Sequence, residues 1–425
     1  MRLRNLCLLV CTISSLLLLL QILIGVLLLG EKEKISGVQR NEIKPAIKTN
    51  KRKEIAPIFE TDRWPHDTIN YFYAAEIDDE HNKYLEEAMD HISSKTCIHF
   101  VNNDKAEYRL QIVANNECSS PAGFLGLPTQ DLSFQTGPAC PLMVGNAVHE
   151  MMHVLGVTHE HGRIDRDQFL TVDENVIPER FIPDYAIHGT PNSYNSTPFD
   201  YGSVMLYPID GLDAIRPKDM DYIYTMGSRK VSFYDIVRIN KFYQCGRKCI
   251  TQLDCKNGGY TNPADCNVCN CPNGYEGASC DQLPAKRRVH VATATWKGSR
   301  VTFESKSDKN LINPSYSYIV IKAPVGKTIE VQITKLENFS CSYGCNTNGV
   351  EMKINGDPRI TNPIFCCDNK LDRSRIFKSK HNPTIIEIHT TNGTSKVTYQ
   401  FRYIDEDFTI GRKITNGFDS YEYYK

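Results

Sequence analysis

The hydrophobic and polar positions divide the chain into stretches of different character. Residues 6–29 are almost wholly apolar and follow Arg2 and Arg4. Such a run behind basic residues predicts a secretory targeting segment, and it is also long enough to cross a bilayer as a helix. Leu85, Ala88, Met89 and Ile92 recur at i, i+3, i+4 and i+7. This stripe predicts an amphipathic helix over 80–92, with Asp78 or Asp79 as its N-cap. Ile98–Val101 and Tyr108–Val113 pattern as strands. A second helix is expected over 146–155, where Ala147, Val148, Met151, Met152, Val154 and Leu155 read as core. Beyond residue 290 the pattern becomes strands separated by turn residues, at 317–322, 329–333, 350–354, 385–388 and 397–401. A sheet on two helices followed by such strands predicts an α+β domain and then an all-β sandwich.

Composition narrows the setting. The 425 residues allow two or three domains. With 49 basic and 50 acidic residues the net charge is −1, which points away from a nucleic-acid partner. There are sixteen cysteines, and only Cys7 and Cys11 lie in the apolar segment. The remaining even number follows Cys97 and suits an oxidising compartment. Asn195, Asn338 and Asn392 each begin an N-x-[S/T] glycosylation sequon. The chain is therefore expected to be secreted. A type II single-pass membrane protein with an extracellular catalytic domain is the alternative, should residues 6–29 stay uncleaved. Residues 31–53 are polar and end in Lys51-Arg52-Lys53, which reads as a solvated linker or as a short propeptide with a basic cleavage site.

The densest chemistry is His149-Glu150-Met151-Met152-His153-Val154-Leu155-Gly156-Val157-Thr158-His159. Four helical residues turn through about 400°, so His149 and His153 share one helix face and can reach one metal ion. Gly156 supplies the positive φ that lets the chain leave the helix and bring His159 back as a third ligand. Three protein nitrogens leave a fourth position for water, as a catalytic zinc site requires. Glu150 is placed to take a proton from that water rather than to coordinate.

This motif is similar to the metzincin form of the zinc proteases. The residues that follow it, His159-Glu160-His161-Gly162-Arg163-Ile164-Asp165-Arg166-Asp167, resemble the astacin signature. Phe199-Asp200-Tyr201-Gly202-Ser203-Val204-Met205-Leu206-Tyr207 resembles the family's Met-turn. Arg63-Trp64-Pro65 and Asp235–Cys245 look like the start and end of an astacin domain, of the kind found in nematode astacin-like proteases. Leu206 departs from the pattern, since astacins often have His there. The resemblance implies a two-lobed catalytic domain over 54–245 with one Zn2+ per subunit. It implies Glu150 as general base and acid, Tyr207 as a resting ligand that moves to the oxyanion, and Met205 as a soft floor under the site. It also implies Cys97–Cys245 and Cys118–Cys140 disulfides, and a buried Glu160 that meets the mature N-terminus after cleavage near Lys53. On that reading an uncleaved chain leaves Glu160 unpaired. Without the resemblance, Tyr207 reads as a packed aromatic and Glu160 as a surface residue. No F-x-G-D latency motif precedes Lys53. His161 is off the ligand spacing and is expected on the surface or just behind the ligands.

Cys249, Cys255, Cys266, Cys269, Cys271 and Cys280 resemble those of an EGF-like module over 246–281, with Cys271–Cys280 the clearest bridge. A zinc ribbon at Cys266-x2-Cys269 is the competing reading. Residues 290–404 resemble a CUB domain, although Cys341, Cys345, Cys366 and Cys367 depart from its usual spacing. Residues 1–30 are assigned to the signal or anchor, 31–53 to the propeptide and 405–425 to a tail. The expected activity is hydrolysis of protein and peptide substrates, extracellular matrix or cuticle proteins among them. The alternative is an inactive extracellular binding protein acting through its EGF-like and CUB modules. The presence of Glu150 and every ligand favours the enzyme.

Overall fold

The computed structural model describes residues 63–115, 117–134, 140–187, 197–209, 213–305, 314–391 and 393–405. The chain divides into two units, Met1–Glu54 and Ile55–Lys425, and every described residue belongs to the second. The first lies outside the described residues, and with it segment 6–29 and the Lys51–Lys53 run. No helix among the described residues is long and apolar enough to cross a membrane.

The second unit opens with a five-stranded sheet of β1 (Thr68–Tyr73), β2 (His99–Asn102), β3 (Arg109–Val113), β4 (Cys118–Ser119) and β5 (Thr129–Phe134), in the order β2-β1-β3-β5-β4. All pairings are parallel except β4 with β5. Helix α1 (Asp79–Ser93) carries the expected stripe, and the Asp78 carboxylate caps it by accepting from the His81 amide at 2.9 Å. Helix α2 (Val144–Val154) holds His149 and His153. Both helices pack on the sheet in one core that includes Ile69, Leu85, Met89, Ile112, Leu132, Val148 and Met151.

A third helix, α3 (Phe233–Phe242), joins that core through Ile236 and Ile239. The periodicity predicted only two helices here. α3 is 10 residues long with Ile236, Val237 and Ile239 buried, and its start is marked by a capping box between Ser232 and Asp235. Cys97 is bonded to Cys245 and Cys118 to Cys140, the first closing a separation of 148 residues. A crosslink over so long a loop removes much unfolded-state entropy, worth roughly 2–4 kcal/mol.

Strands β6 (Leu170–Val172) and β7 (Ile215–Pro217) pair beside a second, smaller core of Phe199, Tyr201, Leu206, Tyr222 and Met226. Met205 belongs to the first core and Leu206 to the second. The turn carrying both residues is thus the seam between two lobes.

The small module has one hairpin, β8 (Tyr260–Asn262) with β9 (Asp265–Asn270). It is stapled by Cys249–Cys266, Cys255–Cys269 and Cys271–Cys280. Cys266 and Cys269 are both in disulfides, which removes the zinc-ribbon reading.

The last region is an all-β sandwich. One sheet orders β10 (Arg287–Val291), β12 (Ser315–Lys322), β17 (Thr384–Thr390), β14 (Asn348–Lys353) and β15 (Ile364–Phe365). The other orders β11 (Lys297–Ser305), β18 (Gly393–Asp405), β13 (Lys327–Glu337) and β16 (Phe377–Lys378). Ile319, Ile321, Val331, Ile333, Met352, Ile386 and Phe401 fill the space between them. The four cysteines whose spacing departed from the usual pattern form adjacent bridges, Cys341–Cys367 and Cys345–Cys366.

The sandwich packs directly on the segment after the seam. The Asn346 side chain accepts from the Arg229 amide at 2.7 Å, Thr225 Oγ1 accepts from the Ile364 amide at 2.8 Å, and Tyr234 donates to Asp357 at 2.7 Å. Lys230 reaches Glu387 at 2.5 Å and Glu351 at 3.4 Å, and Lys353 also pairs with Glu351. Burial opposes the Lys230 charge, yet the two carboxylates outweigh it and hold the ammonium well above its usual pKa. Removing one partner of such a pair strands the other charge in a dry site. Lys230→Met is therefore expected to destabilise the protein by about 3–5 kcal/mol in denaturant unfolding. Lys327→Ala, which breaks an exposed pair with Asp405, should leave the midpoint unchanged.

Candidate metal centre and active site

Helix α2 presents His149 and His153 one turn apart, and Gly156 follows with φ +91°. Its amide still bonds back to the His153 carbonyl at 2.8 Å, so the helix is closed before the chain turns away. A Cβ at Gly156 would lie 2.8 Å from the Phe242 ring, so position 156 needs glycine for space as well as for its dihedral. His159 then returns to the same point.

The ring nitrogens are oriented by carbonyls. His149 Nδ1 lies 2.8 Å from the Val204 oxygen, and His153 Nδ1 lies 2.8 Å from the Val157 oxygen. A carbonyl only accepts, so both Nδ1 atoms carry the proton and both Nε2 atoms present lone pairs. His153 Nε2 and His159 Nε2 are 3.0 Å apart, and His159 Nε2 and His149 Nε2 are 3.2 Å apart. Tetrahedral zinc with nitrogen ligands at its usual bond length would separate them by about 3.3 Å. Converging lone pairs at this distance repel unless a cation lies among them, so the donor set fits a zinc ion. Among the described residues these three form the one such group of metal-ligating side chains. Burial holds His149 well below its usual pKa and lowers His153 to about 4, which keeps both imidazoles neutral as ligands must be.

Glu150 is buried beside the triad. The Ser120 hydroxyl lies 2.8 Å from its backbone oxygen and 3.2 Å from Oε2. Burial pushes its carboxyl up to about 7, against the lowering effects of Ser120 and Arg229. The Tyr207 ring centroid is 4.4 Å from that of His159 and 4.4 Å from that of His161. Burial, with Asp184 nearby, raises the Tyr207 phenol, so it stays protonated at neutral pH. Met205 is fully buried, and its carbonyl accepts from the Glu160 amide at 2.9 Å.

The family model for astacin, a peptidase family, matches residues 58–244. Zinc metalloproteinase nas-17 of Caenorhabditis elegans is 40% identical over 376 residues, covering 88% of this chain and 86% of that protein. Zinc metalloproteinase nas-16 of the same organism is 44% identical over 345 residues, covering 80% and 75% respectively. The chain belongs to the astacin family. It is a zinc-dependent metalloendopeptidase, and nothing in the comparisons favours the inactive alternative. Among solved structures, high choriolytic enzyme 1, a hatching enzyme zinc-protease of Oryzias latipes, is 30% identical. That match covers 43% of this chain and 92% of that chain, at a TM-score of 0.39.

One expectation needs correction in this astacin. Glu160 is fully buried, but it is not left without a charge partner before cleavage. Arg238 pairs with its Oε2, Arg163 lies 3.8 Å from Oε1, and Oε1 accepts from the Asp200 amide at 2.9 Å. Both the surface reading and the unpaired reading of Glu160 therefore fail. His161, expected on the surface or just behind the ligands, takes the second place. It is fully buried, stacked on His159 at 4.8 Å, and lies 2.9 Å from the Asp184 oxygen. Of the three sequons, Asn195 and Asn392 fall outside the described residues. Asn338 is exposed at the end of β13.

Sequence reading missed Ser120, Arg229 and Asp235. Ser120 and Arg229 belong to no local motif and reach the site only through the fold. Asp235 could have been found from Ser232-x-x-Asp235. Its carboxylate accepts from Ser203 Oγ at 2.5 Å and from the Val204 amide at 3.0 Å, besides capping α3.

Asp200 was quoted only as part of the Met-turn. It is fully buried, accepts from the Gly202 amide at 2.9 Å, and lies 3.2 Å from Thr361 Oγ1 in the sandwich. Burial, then Asp235, pushes its carboxyl up to about 7 from an ordinary 3.8. A carboxyl whose folded pKa is raised contributes most below its unfolded pKa, and that stability is lost as pH rises toward the folded value. Asp200→Asn keeps both hydrogen bonds without a charge. Its melting temperature relative to the parent should rise as pH goes from about 5 to about 8. A constant difference across that range would contradict the assignment.

Proposed function

We propose that His149, His153 and His159 hold one zinc ion per chain through Nε2, and that Glu150 moves the protons of peptide hydrolysis. The observation that carries this reading is the convergence of two carbonyl-oriented imidazoles and a third ring on one point, with a buried carboxylate on the next residue. When bound, zinc supplies an acidified water and polarises a carbonyl. Glu150, poised near neutrality by burial, accepts the proton released as water attacks and passes it to the leaving amine. Tyr207 keeps its proton and donates to the developing oxyanion, where such a donor contributes most. Val204 orients His149, and Met205 forms the apolar floor.

The substrates are proteins or peptides, which the family supports. Extracellular matrix or cuticle proteins as targets, with the C-terminal modules selecting them, belong to this proposal. So do secretion and glycosylation. The support for secretion is that all fourteen cysteines after Cys11 are paired in the seven disulfides. Activation by cleavage near Lys53 now rests on the basic run alone, because Arg238 and Arg163 already compensate Glu160.

Purified protein should contain one zinc per chain and cleave gelatin or casein. Chelation should abolish cleavage and added zinc should restore it; hydrolysis that continues after verified zinc removal would overturn the reading. Glu150→Ala should retain stoichiometric zinc while kcat falls about 100- to 10,000-fold. Zinc loss in that variant would mean that the carboxylate is structural. Tyr207→Phe should lower kcat by about 100-fold with little change in KM. An effect confined to KM would assign Tyr207 to substrate binding instead.

A further inference from the structure

A cavity of about 320 Å3 lies where the catalytic domain, the small disulfide module and the sandwich meet. That volume is in the range of small-molecule sites. None of the side chains lining it is acidic. We propose that this cavity binds a small oxyanion that also carries a proton donor, of which hydrogen phosphate is the simplest.

Its floor is the start of α2, where Val144 and Gly145 line the space. The helix has no side-chain cap and no acidic residue in its first turn. The Val144 and Gly145 amides find no acceptor among the described residues. Such amides at the positive end of a helix dipole favour an anion. Gly145 is where the Arg229 backbone packs on the helix start: a Cβ there would lie 2.0 Å from the Arg229 carbonyl oxygen.

One wall residue, Lys95, adds charge without a paired carboxylate. Lys95 lines the cavity, and burial alone lowers its pKa, with no carboxylate acting on it. Arg229 borders it as well, but its guanidinium donates to the Val204 carbonyl at 3.2 Å and sits beside Glu150, so it adds no free charge here. Lys230 counts for less, since Glu387 and Glu351 already pair with it.

His389 supplies an independent requirement. It lines the cavity and is only 1% exposed. Its Nε2 lies 2.8 Å from the Cys345 carbonyl oxygen and must donate to it. Nδ1 is then a lone-pair acceptor, and it is buried with no partner in the structure. A ligand that fills this cavity must offer acceptors to the helix amides and Lys95, and a donor to His389. Phosphate monoanion or a hydroxylated carboxylate meets both demands, whereas sulfate meets only the first.

The test is calorimetric titration of the full-length, zinc-loaded protein at pH 6, with a peptide hydroxamate covering the catalytic zinc. Inorganic phosphate and glucuronate are the probes, and sulfate is the control of equal shape without a donor. At least one probe should bind with one-to-one stoichiometry and at least 10-fold more tightly than sulfate; the tighter of the two identifies the ligand type. Lys95→Met should weaken that binding at least 10-fold and leave peptidase activity unchanged. His389→Phe should erase the preference over sulfate. If His389→Phe does not fold, the sulfate comparison and Lys95→Met still decide the matter. Absence of saturable binding by both probes overturns the proposal, as does binding unchanged by Lys95→Met or a preference for sulfate.

Discussion

The buried carboxylate of Asp235 is the constraint on which the active site rests. One side chain caps α3 and at the same time holds the Ser203 hydroxyl and the Val204 amide. Val204 then turns its carbonyl toward His149 Nδ1 and the Arg229 guanidinium. The start of a helix, the course of the Met-turn and the tautomer of His149 are therefore set by a single group. Burial raises the Asp235 carboxyl, while Arg238 and its hydrogen bonds pull it back. Paired buried charge of this kind contributes little net stability and a great deal of geometry. The same Arg238 reaches Glu160, so the signature after the third histidine is tied to the same knot.

The sequence showed what local chemistry encodes. The α1 stripe with its Asp78 cap, and Gly156 with the three histidines, are each written within a short stretch of sequence, and the histidine rings converge as the spacing predicts. Strands β12, β13, β14, β17 and β18 followed from alternation. What escaped was non-local. Helix α3 is only 10 residues long, and its apolar positions were read only as the end of the domain. Ser120 approaches Glu150 from the loop beside β4, a contact that no motif announces. The pairing of Arg238 with Glu160 was not foreseen because Arg238 lies far along the chain, on α3.

The two cores explain why the Met-turn is so closely held. Met205 and Leu206 are neighbours in sequence but belong to opposite cores. A small shift of this turn would disturb the packing of both lobes and the carbonyl that orients His149. Close-packed interiors resist such shifts, which favours a ligand set preorganised before any metal arrives.

Gly202 lies four residues before Leu206, and a Cβ placed on it would come within 2.3 Å of Thr361 Cγ2. The sandwich thus touches the catalytic lobe where no side chain can intervene, and Thr361 also reaches the buried Asp200. This contact makes the modules non-interchangeable. A sandwich grafted from a relative would need a side chain that both fits over Gly202 and reaches Asp200, or the turn below would have to move. The fit between modules is therefore a constraint on how such chains can recombine, as well as on how they fold.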